Sequence, residues 1–142
     1  ARAPLGAAGQ DYDHGTGHGV GSFLSVHEGP QRLSRATDVP LKVGMILSNE
    51  PGYYRAGAFG VRIENLIIVQ PAPNLPNGDD RAMLEFETIT LAPIDLRLIE
   101  ASLLTVREKD WLNAYHQEVH AKLIQLLDAT TAQWLANATA AI

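Results

Sequence analysis

Three of the five histidines of this 142-residue chain lie in one glycine-rich stretch, HGTGHGVGSFLSVHEGP, which spans residues 14–30. Imidazole can bind a divalent metal or exchange protons near neutral pH. Two glutamates follow downstream, Glu50 in SNEPGYY and Glu64 in VRIENLIIV. One histidine with carboxylates suits Mn²⁺, Zn²⁺, Co²⁺ or Fe²⁺ better than Ca²⁺, which prefers oxygen ligands alone. These residue types are therefore consistent with a His-Glu-Glu metal site.

The spacing within this stretch excludes two other sites. A dinucleotide-binding loop needs G-x-G-x-x-G, but the run from Gly15 to Val20 ends in valine, and the P-loop lysine is absent. The zinc-protease motif H-E-x-x-H needs a glutamate that the segment between His14 and His18 lacks. In extended backbone these two histidines would share one face. A loop with solvated histidines, and a buried Arg62-Glu64 pair or a surface charge network, remain alternatives.

Other polar residues carry weaker signals. His116 and His120 lie four residues apart on a predicted helix, and we expect both on its solvated side. Asp11 and Asp13 are expected to serve a turn. No serine has the G-x-S-x-G surroundings of a nucleophile elbow, so a serine hydrolase is not supported.

Composition excludes several classes of function. The net charge of -5 argues against nucleic acid as a partner. The chain has no cysteine, so a metal must be held by His, Asp or Glu. The chain contains no run of 18 apolar residues, the length needed to span a bilayer. We expect a cytoplasmic protein without a membrane partner.

Hydrophobic patterning predicts an α+β fold in which a mostly antiparallel sheet precedes a helical tail. Strands are expected over residues 20–26, 45–49, 61–70 and 83–91, with the last two paired antiparallel. A capping box at Thr105 and Glu108, followed by apolar residues at every fourth position from Trp111 to Leu127, predicts a helix over 106–127. A shorter helix is expected to follow, with caps at Thr130 and Gln133 and an apolar face at Trp134 and Leu135.

Five motifs resemble one protein family. HGTGHGVGSFLSVHEGP, SNEPGYY, FGVRIEN, LEFETITLAPID and WLNAYH together resemble the carboxy-terminal part of the Xaa-Pro aminopeptidases (aminopeptidase P), metallopeptidases of the pita-bread fold. The resemblance extends from about Asp11 to Trp134. It implies half of a catalytic domain with a curved antiparallel sheet over 1–100 and a helical extension over 101–142. It also implies two divalent ions, with manganese expected and zinc or cobalt as alternatives.

The resemblance implies roles for individual residues. His18, Glu50 and Glu64 would be metal ligands, with Glu64 bridging both ions. Glu50 would also handle the proton of the attacking water. His14 and His27 would line the substrate site, and His27 would hydrogen-bond the substrate carbonyl. Arg62 would orient the carboxylates. The substrate would be a peptide with proline at the second position, and the parent protein would be a homodimer.

The chain departs from the family pattern in one respect. The family's two aspartate ligands come from an upstream segment that reads roughly D-x-G-x-x-Y and T-D-x-T-R, and this chain contains no such segment. We therefore expect a piece of a larger enzyme, produced by truncation or proteolysis, with an incomplete metal site and no activity of its own. A non-catalytic pita-bread module that binds peptides or proteins, and a related prolidase-type hydrolase, are the alternatives.

Overall fold

A computed structural model gives the structure of residues 1–23 and 25–142. These residues form two compact units, Ala1–Thr90 and Leu91–Ile142. The first unit contains one short helix and seven strands, which are α1 Ala3–Ala7, β1 Gly17–His18, β2 Arg32–Leu33, β3 Ile46–Asn49, β4 Gly52–Arg55, β5 Phe59–Arg62, β6 Asn65–Pro71 and β7 Leu84–Thr88. The second contains α2 Val106–Leu123, α3 Ala129–Ala138 and three 3₁₀ turns, Leu96–Leu98, Ala101–Leu103 and Ile124–Leu126.

Three small antiparallel sheets build the first unit. Their strand orders are β1-β2, β3-β6-β7 and β4-β5. The central strand β6 is rich in β-branched residues, which favour a pleated, buried surface. Its Ile67 and Val69 pack with Leu47 of β3 into a buried cluster. The predicted antiparallel pairing of β6 with β7 is confirmed, with Ile67 opposite Thr88.

The predicted strand over 20–26 is wrong for the described residues, and Leu24 lies outside them. The strand here is β1, which ends at His18. Beyond it the chain folds into a loop, because the Gly21 N–H donates to the Ser25 carbonyl at 2.8 Å and the Glu28 N–H donates to the Gly19 carbonyl at 2.9 Å. Local hydrogen bonds thus replace the ladder that an apolar, β-branched run would favour.

The single strand predicted over 61–70 is two strands, with Ile63 and Glu64 between them. β5 pairs with β4, and β6 pairs with β3, so the chain changes partners at this point. β4 was not predicted, because Pro51-Gly52 reads as a turn. The Ile63 N–H instead donates to the Pro51 carbonyl at 3.3 Å and closes the break between the two sheets.

The capping box that starts α2 is confirmed. The Thr105 hydroxyl accepts from the Glu108 N–H at 3.3 Å, and the Glu108 carboxylate accepts from the Thr105 N–H at 2.8 Å. The α-helix ends at Leu123, and a 3₁₀ turn replaces the last turn predicted. The helix therefore ends four residues earlier than its apolar period predicts.

The second helix, α3, is confirmed, but its predicted cap is wrong. Asp128 caps it by accepting hydrogen bonds from the N–H groups of Thr130 and Thr131 at 2.9 and 3.1 Å. A carboxylate at this position satisfies two of the free donors of the first turn. Leu135 is buried as predicted, whereas Trp134 is 59% exposed. Only one of the two expected residues therefore forms the apolar face.

A buried histidine lies in the core of the second unit. Tyr115, Val119 and Leu135 form this core, and His116 next to them has no exposed surface. The expectation that His116 is solvated is therefore wrong. Its Nε2 accepts a hydrogen bond from the Ile94 N–H at 3.0 Å, and this bond attaches the segment before α2 to the helix.

Across residues 1–23 and 25–142, no helix has both the length and the apolar character needed to cross a membrane.

Candidate active site

Five of the six candidate site residues line one cavity of about 520 Å³ in the first unit. They are His14, His18, His27, Glu50 and Arg62. β1, the loops before and after it, the residue that follows β3, and β5 all contribute to this cavity. The structure therefore brings together residues that are up to 48 positions apart in the sequence.

The centre of the cavity is a contact between His18 and Glu50. His18 ends β1, and Glu50 follows β3 directly. The two segments are in register because the Glu50 N–H donates to the Thr16 carbonyl at 2.8 Å. His18 Nε2 then lies 3.2 Å from Glu50 Oε1. Glu50 is 9% exposed, so its carboxylate lies in a largely desolvated position.

The hydrogen bond of the other ring nitrogen determines which lone pairs are available. His18 Nδ1 lies 2.9 Å from the Gly19 carbonyl oxygen, and a carbonyl can only accept, so Nδ1 carries a proton. In the neutral ring, Nε2 is then a bare lone pair directed at a carboxylate oxygen. Two acceptors at that distance need a cation between them, either a proton or a metal ion. This pair can therefore supply two of the ligands that a divalent metal needs.

A chain of hydrogen bonds holds the far oxygen of Glu50. Arg62 donates to Glu50 Oε2 at 3.2 Å through its Nη1 and to the Tyr54 hydroxyl at 2.8 Å through its Nε. Tyr54 lies 2.8 Å from His14 Nε2, while His14 Nδ1 donates to the Gly15 carbonyl at 2.7 Å. In neutral His14 the Tyr54 hydroxyl is therefore the donor. The hydrogen bond to Tyr54 first, and the charge of Glu50 after it, raise the pKa of Arg62 above its ordinary value.

The remaining two candidates differ in position. The His27 ring lies on the His18 ring, with 4.1 Å between the ring centroids, and it is exposed at the cavity. Glu64 lies in the break between β5 and β6 and is exposed. Its carboxylate is therefore solvated in this structure and does not line the cavity. Among the residues that the structure describes, no three His, Asp or Glu side chains cluster closely enough to hold a metal ion.

Sequence reasoning missed two residues of this network. Ser48 lies in β3, two positions before Glu50, which follows the strand directly, and in extended backbone this spacing places both side chains on one face. Tyr54 is the second tyrosine of the EPGYY motif. Both signals were present in the sequence, but their contacts with His18 and with His14 depend on the pairing of distant segments.

Sequence models of known protein families match most of this chain. The sequence model described as "Metallopeptidase family M24" matches residues 1–71, and "C-terminal region of peptidase_M24" matches residues 82–142. The chain belongs to metallopeptidase family M24. Several relatives of this M24 chain carry the name aminopeptidase P. It is 50% identical over its whole length to "Probable Xaa-Pro aminopeptidase P" of Coprinopsis cinerea, and 51% identical over 98% of its length to "Aminopeptidase P2" of Arabidopsis thaliana.

A solved structure confirms the predicted fold. The chain is 37% identical to the X-prolyl aminopeptidase of Caenorhabditis elegans, which is described as a cytosolic enzyme with a di-nuclear active site. The two superimpose with a TM-score of 0.89 over 99% of this chain. The α+β, pita-bread architecture and the resemblance to aminopeptidase P are therefore confirmed. This M24 chain spans only 20% to 24% of the length of these three relatives.

Proposed function

We propose that the chain is the carboxy-terminal part of a dinuclear metal aminopeptidase that hydrolyses the N-terminal Xaa-Pro bond of peptides. One observation carries this proposal: His18 Nε2 and Glu50 Oε1 face each other at 3.2 Å, and the Nδ1 proton of His18 is held by a carbonyl. Such a pair is arranged to share a cation. The names of the relatives and the di-nuclear site of the worm enzyme support the same chemistry.

In this proposal His18, Glu50 and Glu64 hold two divalent ions, with Mn²⁺ as the proposed metal and Zn²⁺ or Co²⁺ as alternatives. The upstream half of the same protein supplies the remaining ligands. Bound ions of this kind activate a water molecule for attack and stabilise negative charge on the carbonyl oxygen. The 142 residues alone bind metal weakly and hydrolyse nothing, because they supply only three of the five ligands and Glu64 lies apart from the other two.

The side chains of this chain divide the rest of the work. Glu50 accepts the proton of the attacking water and delivers it to the proline nitrogen as the peptide bond breaks. Arg62 holds Glu50 Oε2, so the other carboxylate oxygen stays directed at His18. His27 donates a hydrogen bond to the developing oxyanion, a contribution worth about 3 kcal/mol for similar donors. His14 lines the substrate side of the cavity and is held by Tyr54.

We also propose that the parent protein is a cytoplasmic homodimer. The cytosolic description of the worm enzyme supports the location. Trp111 and Trp134 support self-association, because both are more than half exposed and aromatic residues are enriched in protein interfaces.

Hydrolysis by the full-length protein tests the activity. Loaded with Mn²⁺, it is expected to release the first residue of Arg-Pro-Pro. Glu50→Gln should lower kcat by about 100- to 10,000-fold, because a neutral amide cannot accept the proton. Glu85→Gln is the matched control, since Glu85 is exposed on β7, away from the cavity. Binding without cleavage would favour the non-catalytic module, and cleavage of the dipeptide Ala-Pro alone would favour a prolidase-type hydrolase.

The isolated 142 residues, assayed in parallel, test the division of the site between two halves. A cleavage rate near that of the full-length protein would refute it, whereas no cleavage by the fragment beside an active full-length protein would support it.

A further inference from the structure

Ser48 is a polar side chain with no exposed surface, in the middle of β3. Its neighbour Leu47 belongs to the apolar core of the first unit. A hydroxyl costs free energy when it is buried, unless hydrogen bonds replace those it made with water. Either the position needs the hydroxyl, or an apolar residue would serve it better.

Both hydrogen-bonding functions of the hydroxyl are used. Ser48 Oγ accepts from the His18 N–H at 3.0 Å and donates to Glu50 Oε1 at 3.1 Å. The directions are fixed, because an amide N–H can only donate and an ionised carboxylate can only accept. One oxygen atom therefore joins the backbone of His18 to the carboxylate of Glu50.

This bridge spans two separate segments. His18 lies at the end of β1, whereas Ser48 and Glu50 lie 30 and 32 residues further along the chain. Glu50 Oε1, the oxygen that Ser48 holds, is also the oxygen that faces His18 Nε2. Ser48 thus controls both the position of the histidine backbone and the orientation of the carboxylate oxygen opposite its ring.

We propose that Ser48 is a positioning residue that holds His18 and Glu50 in the geometry required to bind a divalent metal. The inference rests on the function proposed above and deepens it. Ser48 is completely buried and therefore does not touch a substrate. It acts through Glu50 and His18, so its loss should weaken metal binding and lower kcat while KM stays nearly unchanged.

The test is a Mn²⁺ titration of the full-length protein, followed by the electron paramagnetic resonance signal of free Mn²⁺. Ser48→Ala is expected to weaken Mn²⁺ binding by about 10- to 100-fold, the usual effect of removing a residue that orients a metal ligand. Ser102→Ala is the matched control, since Ser102 also donates to a carboxylate, Glu100, at 2.6 Å, but on the surface of the second unit. Its Mn²⁺ affinity should equal that of the unmodified protein.

A second pair of variants separates positioning from folding. Ser48→Thr keeps the hydroxyl and adds a methyl group. Ser48→Val has the shape of the threonine variant, with a second methyl group instead of the hydroxyl, so both variants add the same volume to the core. The threonine variant should bind Mn²⁺ at least tenfold more tightly than the valine variant. Equal Mn²⁺ affinity in this pair would overturn the proposal, even if Ser48→Ala failed to fold.

The unmodified protein distinguishes this inference from the proposed function. If the unmodified full-length protein neither binds Mn²⁺ nor cleaves Arg-Pro-Pro, the proposed function fails, and the positioning role fails with it. If it does both and the Ser48 variants behave like it, only the positioning role is wrong.

Discussion

Gly17 offers a sharp test of how closely β1 must approach β3. A Cβ atom built on Gly17 would lie 1.9 Å from the Ser48 carbonyl oxygen and 2.9 Å from its carbonyl carbon. Real Cβ atoms essentially never come within 3.0 Å of a heavy atom to which they are not bonded. In Gly17→Ala the two strands must therefore separate by about 1 Å, because the obstacle is backbone and cannot rotate away.

The cost of this separation follows from the contacts that it breaks. Overpacking of this kind costs about 1–3 kcal/mol. The hydrogen bonds from the His18 N–H to Ser48 and from the Glu50 N–H to Thr16 both cross the same gap. Each contributes about 0.5–1.5 kcal/mol, so the local stability of β1 should fall by about 2–6 kcal/mol. A displacement of about 1 Å at the site should also lower activity by about 100-fold.

Hydrogen exchange of the full-length protein, followed by mass spectrometry, measures this local stability. Peptides that cover residues 12–20 should exchange at least about 30-fold faster in Gly17→Ala, since about 1.4 kcal/mol corresponds to a factor of ten. Gly6→Ala is the control, because a Cβ at Gly6 meets no atom within 4 Å. Unchanged exchange over 12–20 in Gly17→Ala, with full activity, would show that β1 does not need its close approach to β3.

Two further predictions concern the second unit. Burial lowers the pKa of His116, so the unfolded state takes up a proton first as the pH falls below about 6.5, and stability should decline by up to about 1.4 kcal/mol per pH unit. Acid titration of thermal unfolding should show this decline, and His116→Gln should remove it while His120→Gln keeps it; an identical decline in both variants would refute the assignment. Leu135→Ala should destabilise the unit by about 2–5 kcal/mol in urea unfolding, because Leu135 is 1% exposed in the core; a loss below 1 kcal/mol would contradict this packing.

Local features of the fold were predictable because they depend on neighbours in sequence. The capping box at Thr105 and Glu108 and the four-residue apolar period identified α2 from adjacent residues alone. A β-branched run likewise indicated β6, and the alternation of polar and apolar residues indicated its antiparallel partner β7. The strand breaks were not predictable in this way, since an apolar run gives no sign of where it changes partners, as it does at Ile63 and Glu64.

The candidate site shows the same division. The sequence motifs were sufficient to identify His18, Glu50 and Arg62, and the structure places all three at one cavity. The motifs could not show that Glu64 is exposed between two strands, or that the His116 ring is buried and accepts a hydrogen bond from the Ile94 N–H. Both outcomes depend on which distant segment covers each side chain.

By itself, the sequence determined the fold class, the family resemblance and the chemical types of the site residues, because these depend only on residue types and on short spacings along the chain. Only the tertiary structure decided that Ser48 joins His18 to Glu50 and that Tyr54 joins Arg62 to His14. The physical reason is that a hydrogen bond acts over about 3 Å. Whether two side chains come that close depends on strand pairing between residues that are 30 or 40 positions apart.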